Sequence, residues 1–209
     1  MKITRISQSC FMLQTNGTTI YVDPYKIEDN SPRADVILIT HPHMDHASRQ
    51  SISIIQDKDT KVFCPQKCSK IIKNHNATGL AVENEIEVAG IAIKAVPAYN
   101  VKKFFHKKKN GWLGYIINDG KMALYHAGDT DFIPEMKSFP PLDIVFLPIG
   151  GFFTMNKTQA IDALKEMVVK RVIPMHELRV NPDTFANLVQ EQVNGVEVVI
   201  IPCGKTFNV

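Results

Sequence analysis

Residues 36–46, Val-Ile-Leu-Ile-Thr-His-Pro-His-Met-Asp-His, constrain this chain more than any other stretch. Apolar and β-branched residues run directly into three histidines and an aspartate. A near-continuous apolar run of this length, Val36 to Thr40, predicts a short strand buried on both faces of a sheet. Pro42 can neither continue a helix nor donate a ladder hydrogen bond. The chain therefore leaves the sheet there, and a loop delivers His41, His43, Asp45 and His46 from one strand end. Imidazole nitrogens and carboxylate oxygens are the donors that zinc accepts, and they also suit manganese and iron. Neighbours at i and i+1 point apart, so these four groups do not serve one tetrahedral ion. The pairs His41/His43 and Asp45/His46 read as halves of two adjacent divalent-metal sites, for one or two ions per chain, zinc first. The competing reading, a solvated loop with chance histidines, fares badly because three of the chain's seven histidines fall within six positions directly after a strand.

His41-Pro-His43-Met-Asp45-His46 resembles the His-x-His-x-Asp-His signature of the metallo-β-lactamase superfamily of binuclear metal hydrolases. A branch that reduces dioxygen at di-iron has Glu at the position of His43, so the resemblance implies hydrolysis. It extends over essentially the whole chain and implies an α/β fold, a four-layer αββα sandwich of two mixed β-sheets flanked by helices, with residues 1–209 as a single domain. It also implies roles. Asp129, in His126-Ala-Gly-Asp129-Thr-Asp131, resembles the family's aspartate that bridges both metals, with His126 and Asp131 as weaker candidates. His176, after Ile173-Pro-Met175, matches the last ligand histidine and would join Asp45 and His46. Asp23, ahead of Pro24, matches an aspartate beneath the metals that accepts a hydrogen bond from a ligand histidine; a plain turn-forming Asp-Pro is the equal alternative. The family's third histidine is expected where this chain has Asn100, and an amide oxygen is a weak zinc ligand. His106, six residues on, is the candidate replacement ligand or leaving-group acid, against the plainer reading of a histidine in a solvated loop. Asp45 is the candidate proton shuttle. Ser7-Gln8-Ser9-Cys10-Phe11 resembles the Gly-His-Ser-x-Phe opening of relatives near the ascorbate-6-phosphate lactonases, with Gln8 in place of the histidine.

Around the motif, alternation and turn signals predict the remaining elements. Residues 2–22 read as a hairpin closed by Asn16-Gly17, and 85–96 as a strand pair turning at Gly90. Trp112 to Tyr125 reads as a hairpin turning at Asp119-Gly120. Helices are expected at 47–56, 66–75, 158–169 (with Ile161, Leu164 and Val168 on one face) and 181–194. Strands are expected at 61–64, 143–149 and 171–175, with a final one at 196–201. His75 reads as a surface residue near a helix end.

Four cysteines without a disulfide framework, no secretory signal and no apolar run of membrane length make a reduced cytoplasmic setting the expectation, with no membrane partner. Cys64-x-x-x-Cys68 lacks the second pair that a closed zinc site needs. The net charge of +3 decides nothing about nucleic acid. Lys102, Lys103, Lys107, Lys108 and Lys109, with Phe104 and Phe105 between them, form an electropositive lip beside the expected metals. Such a lip concentrates anions, so a small anionic substrate ranks first, a plain solvated surface second and nucleic acid third. The leading expectation is a metal-dependent hydrolase of a small anionic ester or lactone. The alternatives are a phosphodiesterase, with nucleic acid as one substrate, and a non-catalytic binding module whose metal site is degraded at Asn100. A homo-oligomer is left open.

Overall fold

The computed structural model describes all residues, Met1 to Val209. In chain order the strands are β1 Lys2–Arg5, β2 Phe11–Thr15, β3 Thr18–Val22, β4 Val36–Leu38, β5 Lys61–Pro65, β6 Thr78–Leu80 and β7 Glu85–Val88. They continue with β8 Ile91–Pro97, β9 Leu113–Asn118, β10 Ala123–His126, β11 Leu142–Pro148, β12 Val169–Met175, β13 Glu197–Val198 and β14 Thr206–Asn208. The α-helices are α1 Arg49–Ile55, α2 Ser69–His75, α3 Lys157–Glu166 and α4 Pro182–Gln192.

The strands form two seven-stranded mixed sheets, ordered β14-β1-β2-β3-β4-β5-β6 and β13-β12-β11-β10-β9-β8-β7. Each sheet is antiparallel in one part and turns parallel where helices make the crossovers, α1 and α2 beside β4 to β6, α3 and α4 beside β11 to β13. Parallel neighbours need such crossovers, whereas the antiparallel pairs β2–β3, β7–β8 and β9–β10 close with tight turns. Asn16 and Gly17 take φ of 50° and 77°, the left-handed pair that a two-residue type I′ hairpin turn requires. Three of the four helices start on side-chain caps: Ser48 for α1, an Asn156–Gln159 capping box for α3, and Asn181 followed by Pro182 for α4.

Strand β4 is buried on both faces. Val36 and Leu38 join the large apolar cluster between the sheets, while Ile37 and Ile39 join a smaller cluster with Ile52 and Ile55 of α1 and Ile71 of α2. This is the continuous apolar run expected of a covered parallel strand. Phe11 of β2 and Phe146 of β11 meet across the sheets with ring centroids 4.6 Å apart.

Several expectations are corrected. Residues 2–22 form three strands, because the chain breaks after Arg5 and resumes at Phe11. Helix α3 stops at Glu166; Met167 is extended, and Val168 points to solvent at 67% exposure instead of into the helix face. His75 is buried, because the last turn of α2 packs on Gln56, whose Oε1 lies 3.1 Å from His75 Nδ1. The strand expected at 196–201 shrinks to Glu197–Val198 at a sheet edge, and β14, which crosses back to pair with β1, was not foreseen.

Replacing Phe146 by Ala removes the ring that fills the space between Phe11 and His126. It should cost about 3–5 kcal/mol, seen as a lowered urea midpoint of the metal-stripped protein.

Candidate metal centre

The loop after β4 is built on Asp23. Fully buried at the end of β3, Asp23 accepts the Thr40 amide on Oδ1 at 2.8 Å, and on Oδ2 the Thr40 hydroxyl at 2.8 Å and His46 Nδ1 at 2.7 Å. Thr40 Oγ1 has spent its proton on Asp23, so it accepts from His41 Nδ1 at 3.0 Å. Both histidines therefore carry hydrogen on Nδ1, and both Nε2 atoms face the same cavity. His43 adds Nδ1, 3.0 Å from His41 Nε2.

The second half of the chain closes the cavity from β10, β12 and the loop after β8. Asp129 follows β10 across Gly128, where a Cβ would stand 3.0 Å from both Thr40 Cβ and the Leu113 carbonyl; only glycine lets the two loops approach this closely. Asp129 Oδ2 lies 3.3 Å from His106 Nε2, 3.4 Å from His176 Nε2 and 3.9 Å from His41 Nε2, and Oδ1 lies 3.4 Å from His46 Nε2. Asp45 Oδ2 stands 3.8 Å from His46 Nε2 and 3.9 Å from His176 Nε2. The groups resolve into His41/His43/His106, His41/His46/Asp129 and Asp45/His46/His176, each compact enough to hold one ion.

His106 reaches the cavity because Asn100 folds its loop back. The Asn100 amide donates to the His106 carbonyl at 2.7 Å, and its side-chain nitrogen donates to the Phe153 carbonyl at 2.6 Å and lies 3.4 Å from His106 Nδ1. Asn100, in the place where a ligand histidine was expected, supports a histidine six residues later. Asp131 and His126 lie apart from the donors. Asp131 accepts from the Val101 amide and Lys103 Nζ, and His126 Nε2 is 3.0 Å from the Ser9 carbonyl. The lysine lip is weaker than expected, since Lys103 pairs with Asp131 and Lys108 with Glu135; Lys102, Lys107 and Lys109 stay exposed without carboxylate partners.

Contacts that sequence reasoning did not anticipate complete the surround. Gln8 Nε2 donates to Asp45 Oδ2 at 2.6 Å, and the His176 amide donates to the Gln8 carbonyl at 3.0 Å. Arg5 grips Glu177 with two nitrogens, at 2.6 and 2.5 Å. Trp112 lies 4.9, 5.0 and 5.1 Å, centroid to centroid, from His41, His43 and His106. The departure of Ser7-Gln8-Ser9 from its histidine-containing counterpart was the available signal for Gln8; nothing in the sequence singled out Trp112. Asp23, His106 and His176 all have positive φ, 52°, 52° and 47°. Left-handed backbone at non-glycine residues costs about 1–3 kcal/mol each and gathers where function over-determines geometry.

The donor set fits divalent ions. Buried His46 Nε2, His106 Nε2 and Asp129 Oδ1 have no hydrogen-bond partner, which is costly unless a cation satisfies them. Two donors about 2.1 Å from one tetrahedral ion stand roughly 3.4 Å apart, the spacing of the Asp129 contacts. Burial, then the neighbouring His46, hold His41 well below its ordinary value, and burial, then His106, lower His43. Burial also opposes a proton on His46, but Asp129 and Asp23 outweigh it and lift His46 to about 9. Burial would raise Asp129, yet the surrounding histidines, His46 first, hold it well below the usual carboxylate range.

Residues 2–176 match the family model of the beta-lactamase superfamily domain. A UPF0173 metal-dependent hydrolase of Nanoarchaeum equitans is 30% identical, the alignment covering 96% of each chain. A crystal structure from Parabacteroides distasonis superposes with a TM-score of 0.87 at 31% identity, covering 95% of this chain and 91% of the other. A metallo hydrolase from the hyperthermophilic archaeon Ignicoccus hospitalis superposes at 0.84 and 26% identity, covering 100% and 98%.

Two outcomes follow from the centre's electrostatics. His46 retains its proton to about pH 9 in the metal-free fold, whereas an unfolded histidine loses it near 6.5. That proton therefore stabilises the metal-free protein fully below about pH 6.5, and the contribution fades as pH rises through about 9. The urea midpoint of chelator-stripped protein should fall across that window, and zinc uptake at pH 7.5 should release protons, read by calorimetry in buffers of different ionisation enthalpy. Asp23→Asn removes the charge behind His46 and should weaken zinc binding about 10–100-fold in chelator competition.

Proposed function

The chain belongs to the beta-lactamase superfamily and, within it, to the UPF0173 family of metal-dependent hydrolases, and from that premise we propose that it hydrolyses small anionic esters or lactones. The observation that carries a metal-dependent reading is the set of buried imidazole nitrogens and carboxylate oxygens that converge without partners. His41, His43 and His106 would hold one divalent ion, Asp45, His46 and His176 a second, with Asp129 between them. A bound divalent ion supplies polarisation of the substrate oxygen and a water acidic enough to give hydroxide near neutral pH.

The chain's own groups do the rest. Asp45 is the half-exposed carboxylate of the set, at 37% side-chain exposure against 3% for Asp129. It can therefore take a proton at the attacking water and pass it to solvent, while Gln8 fixes its orientation. His41 and His46 are locked in one tautomer by Thr40 and Asp23, so neither turns away during turnover. Trp112 walls the three-histidine side and limits water there. For an ester or lactone, water adds to the carbonyl carbon, the carbon–oxygen bond to the alcohol breaks, and the alcohol oxygen takes up a proton. Exposed Lys102, Lys107 and Lys109 favour an anionic substrate by long-range attraction, which added salt should weaken.

What supports a catalytic protein over a non-catalytic module is His106. The position expected to degrade the metal site, Asn100, instead orients a substitute donor.

Elemental analysis of protein purified without chelator should find two ions per chain, and His106→Ala should retain one. In the same preparations His46→Ala should lower kcat on anionic esters or lactones by at least about 1000-fold, as should stripping the metal. Turnover that survives both treatments would sink the mechanism.

A further inference from the structure

Of the nine exposed large apolar side chains, six (Met44, Val101, Phe104, Phe105, Phe152 and Leu178) sit in four loops, 41–48, 100–107, 150–154 and 176–180, around the metal centre. Exposed apolar side chains scattered singly need no explanation, but a collection at one mouth does. Phe105, Phe152 and Phe153 touch one another, with centroids 5.0 Å apart for Phe105–Phe153, 4.6 Å for Phe152–Phe153 and 6.3 Å for Phe105–Phe152. Phe152 and Phe153 line a cavity of about 540 Å³ together with Gly150, Leu178, Arg179 and Val180. Small-molecule sites have this size and this character, apolar walls with a single polar group.

The cavity adjoins the metal centre. A Cβ on Gly150 would stand 2.4 Å from the His176 carbonyl, so the cavity wall packs directly on a donor residue's backbone. Leu178 follows His176 by two residues, about 7 Å of chain at most. On the other side, the Phe153 carbonyl receives the same Asn100 side chain that lies beside His106.

Two features of the lining have no role in the fold. Leu178 has a φ of +55°, a strained conformation for a branched-side-chain residue, and its side chain stands half exposed beside Gly150. Arg179 is exposed and has no carboxylate partner, whereas neighbouring Glu177 is taken by Arg5 and Arg171 is paired with Glu197.

We propose that this cavity is the substrate's side-chain subsite: Phe152, Phe153 and Leu178 take an aromatic ring attached near the scissile carbonyl, and Arg179 takes a carboxylate carried by the same molecule. The substrate class is thereby an aryl-bearing carboxylate ester or lactone. This deepens the hydrolase reading and rests on it. A guanidinium pairs a carboxylate through two parallel hydrogen bonds, which gives Arg179 orientation as well as charge.

The test uses zinc-loaded full-length protein with three chromogenic substrates: 4-nitrophenyl acetate, 4-nitrophenyl phenylacetate and 4-nitrophenyl hydrogen glutarate. The wild type should prefer phenylacetate to acetate in kcat/KM by at least about tenfold, and Phe152→Ala or Leu178→Ala should erode that ratio about five- to tenfold through KM rather than kcat. Arg179→Gln should raise KM for the glutarate monoester about tenfold while leaving the phenylacetate-to-acetate ratio in place. Ratios that do not move in these variants overturn the subsite. So does a Phe152→Ala protein that sediments as a monomer where the wild type is a dimer, with its ratio unmoved; the patch is then a subunit interface.

Calorimetric titration with 3-phenylpropionate, which needs no turnover, separates this proposal from the one it rests on. If no ester is hydrolysed yet 3-phenylpropionate binds and weakens about tenfold in Phe152→Ala and Arg179→Gln, the hydrolase reading fails and the subsite stands. If esters are hydrolysed and 3-phenylpropionate does not bind, the subsite fails alone.

Discussion

A buried carboxylate with both oxygens engaged organises this protein. Asp23 has no exposure to water and compensates its desolvation with three hydrogen bonds, from the Thr40 amide, the Thr40 hydroxyl and His46. Unpaired, such a group would be costly enough to unfold the loop or to take up a proton. Paired, it fixes the end of β4 against the end of β3 and sets the tautomers of two histidines through one residue. Its own backbone is held in the left-handed region, with its amide donating to the Leu38 carbonyl at 2.9 Å. The position of the histidine loop is thus a consequence of sheet register and one acid.

The end of β1 and the short segment that follows it couple the two halves of the sandwich. Arg5 holds Glu177, the Gln8 carbonyl holds the His176 amide, and the Gln8 side chain holds Asp45. Donors from opposite sheets are thereby spaced by a strap that belongs to neither ligand loop. These bonds over-determine geometry at His176, which is how a non-glycine residue at φ +47° persists. They also explain why the pocket at 150–154 and 176–180 can be strained without disturbing the donors: the strain at Leu178 begins beyond the Glu177 anchor.

Legibility in the sequence followed the physics of each feature. Strand β4, the hairpin turns at Asn16-Gly17 and Asp119-Gly120, and the strand ends at His41 and His176 were readable because period, turn chemistry and a donor coincide locally. The two-sheet αββα architecture came from a resemblance that the family match and superpositions support. Lost were features whose cause is distant in sequence. β14 exists because β1 offers an edge, and its three residues carry no signal of their own. His75 is buried by Gln56, nineteen residues away, and Val168 is exposed because α3 stops at Glu166, two residues before it. The lysines read as one charge run, yet two of them are neutralised by Asp131 and Glu135, which only folding brings near. Gln8 could be noticed as a departure, but its hydrogen bond to Asp45 could not.

The donors are divided by chain order: His41, His43, Asp45 and His46 precede position 50, while His106, Asp129 and His176 come from the other sheet. During synthesis the early donors emerge long before the late ones, so a growing chain exposes histidines with no counterpart for the span of more than half the molecule. Only when β12 has docked and Arg5 has closed on Glu177 do all seven candidate donors converge. An ion held by donors from both halves would therefore bind only after the two sheets have met in register, so its occupancy would report completed assembly.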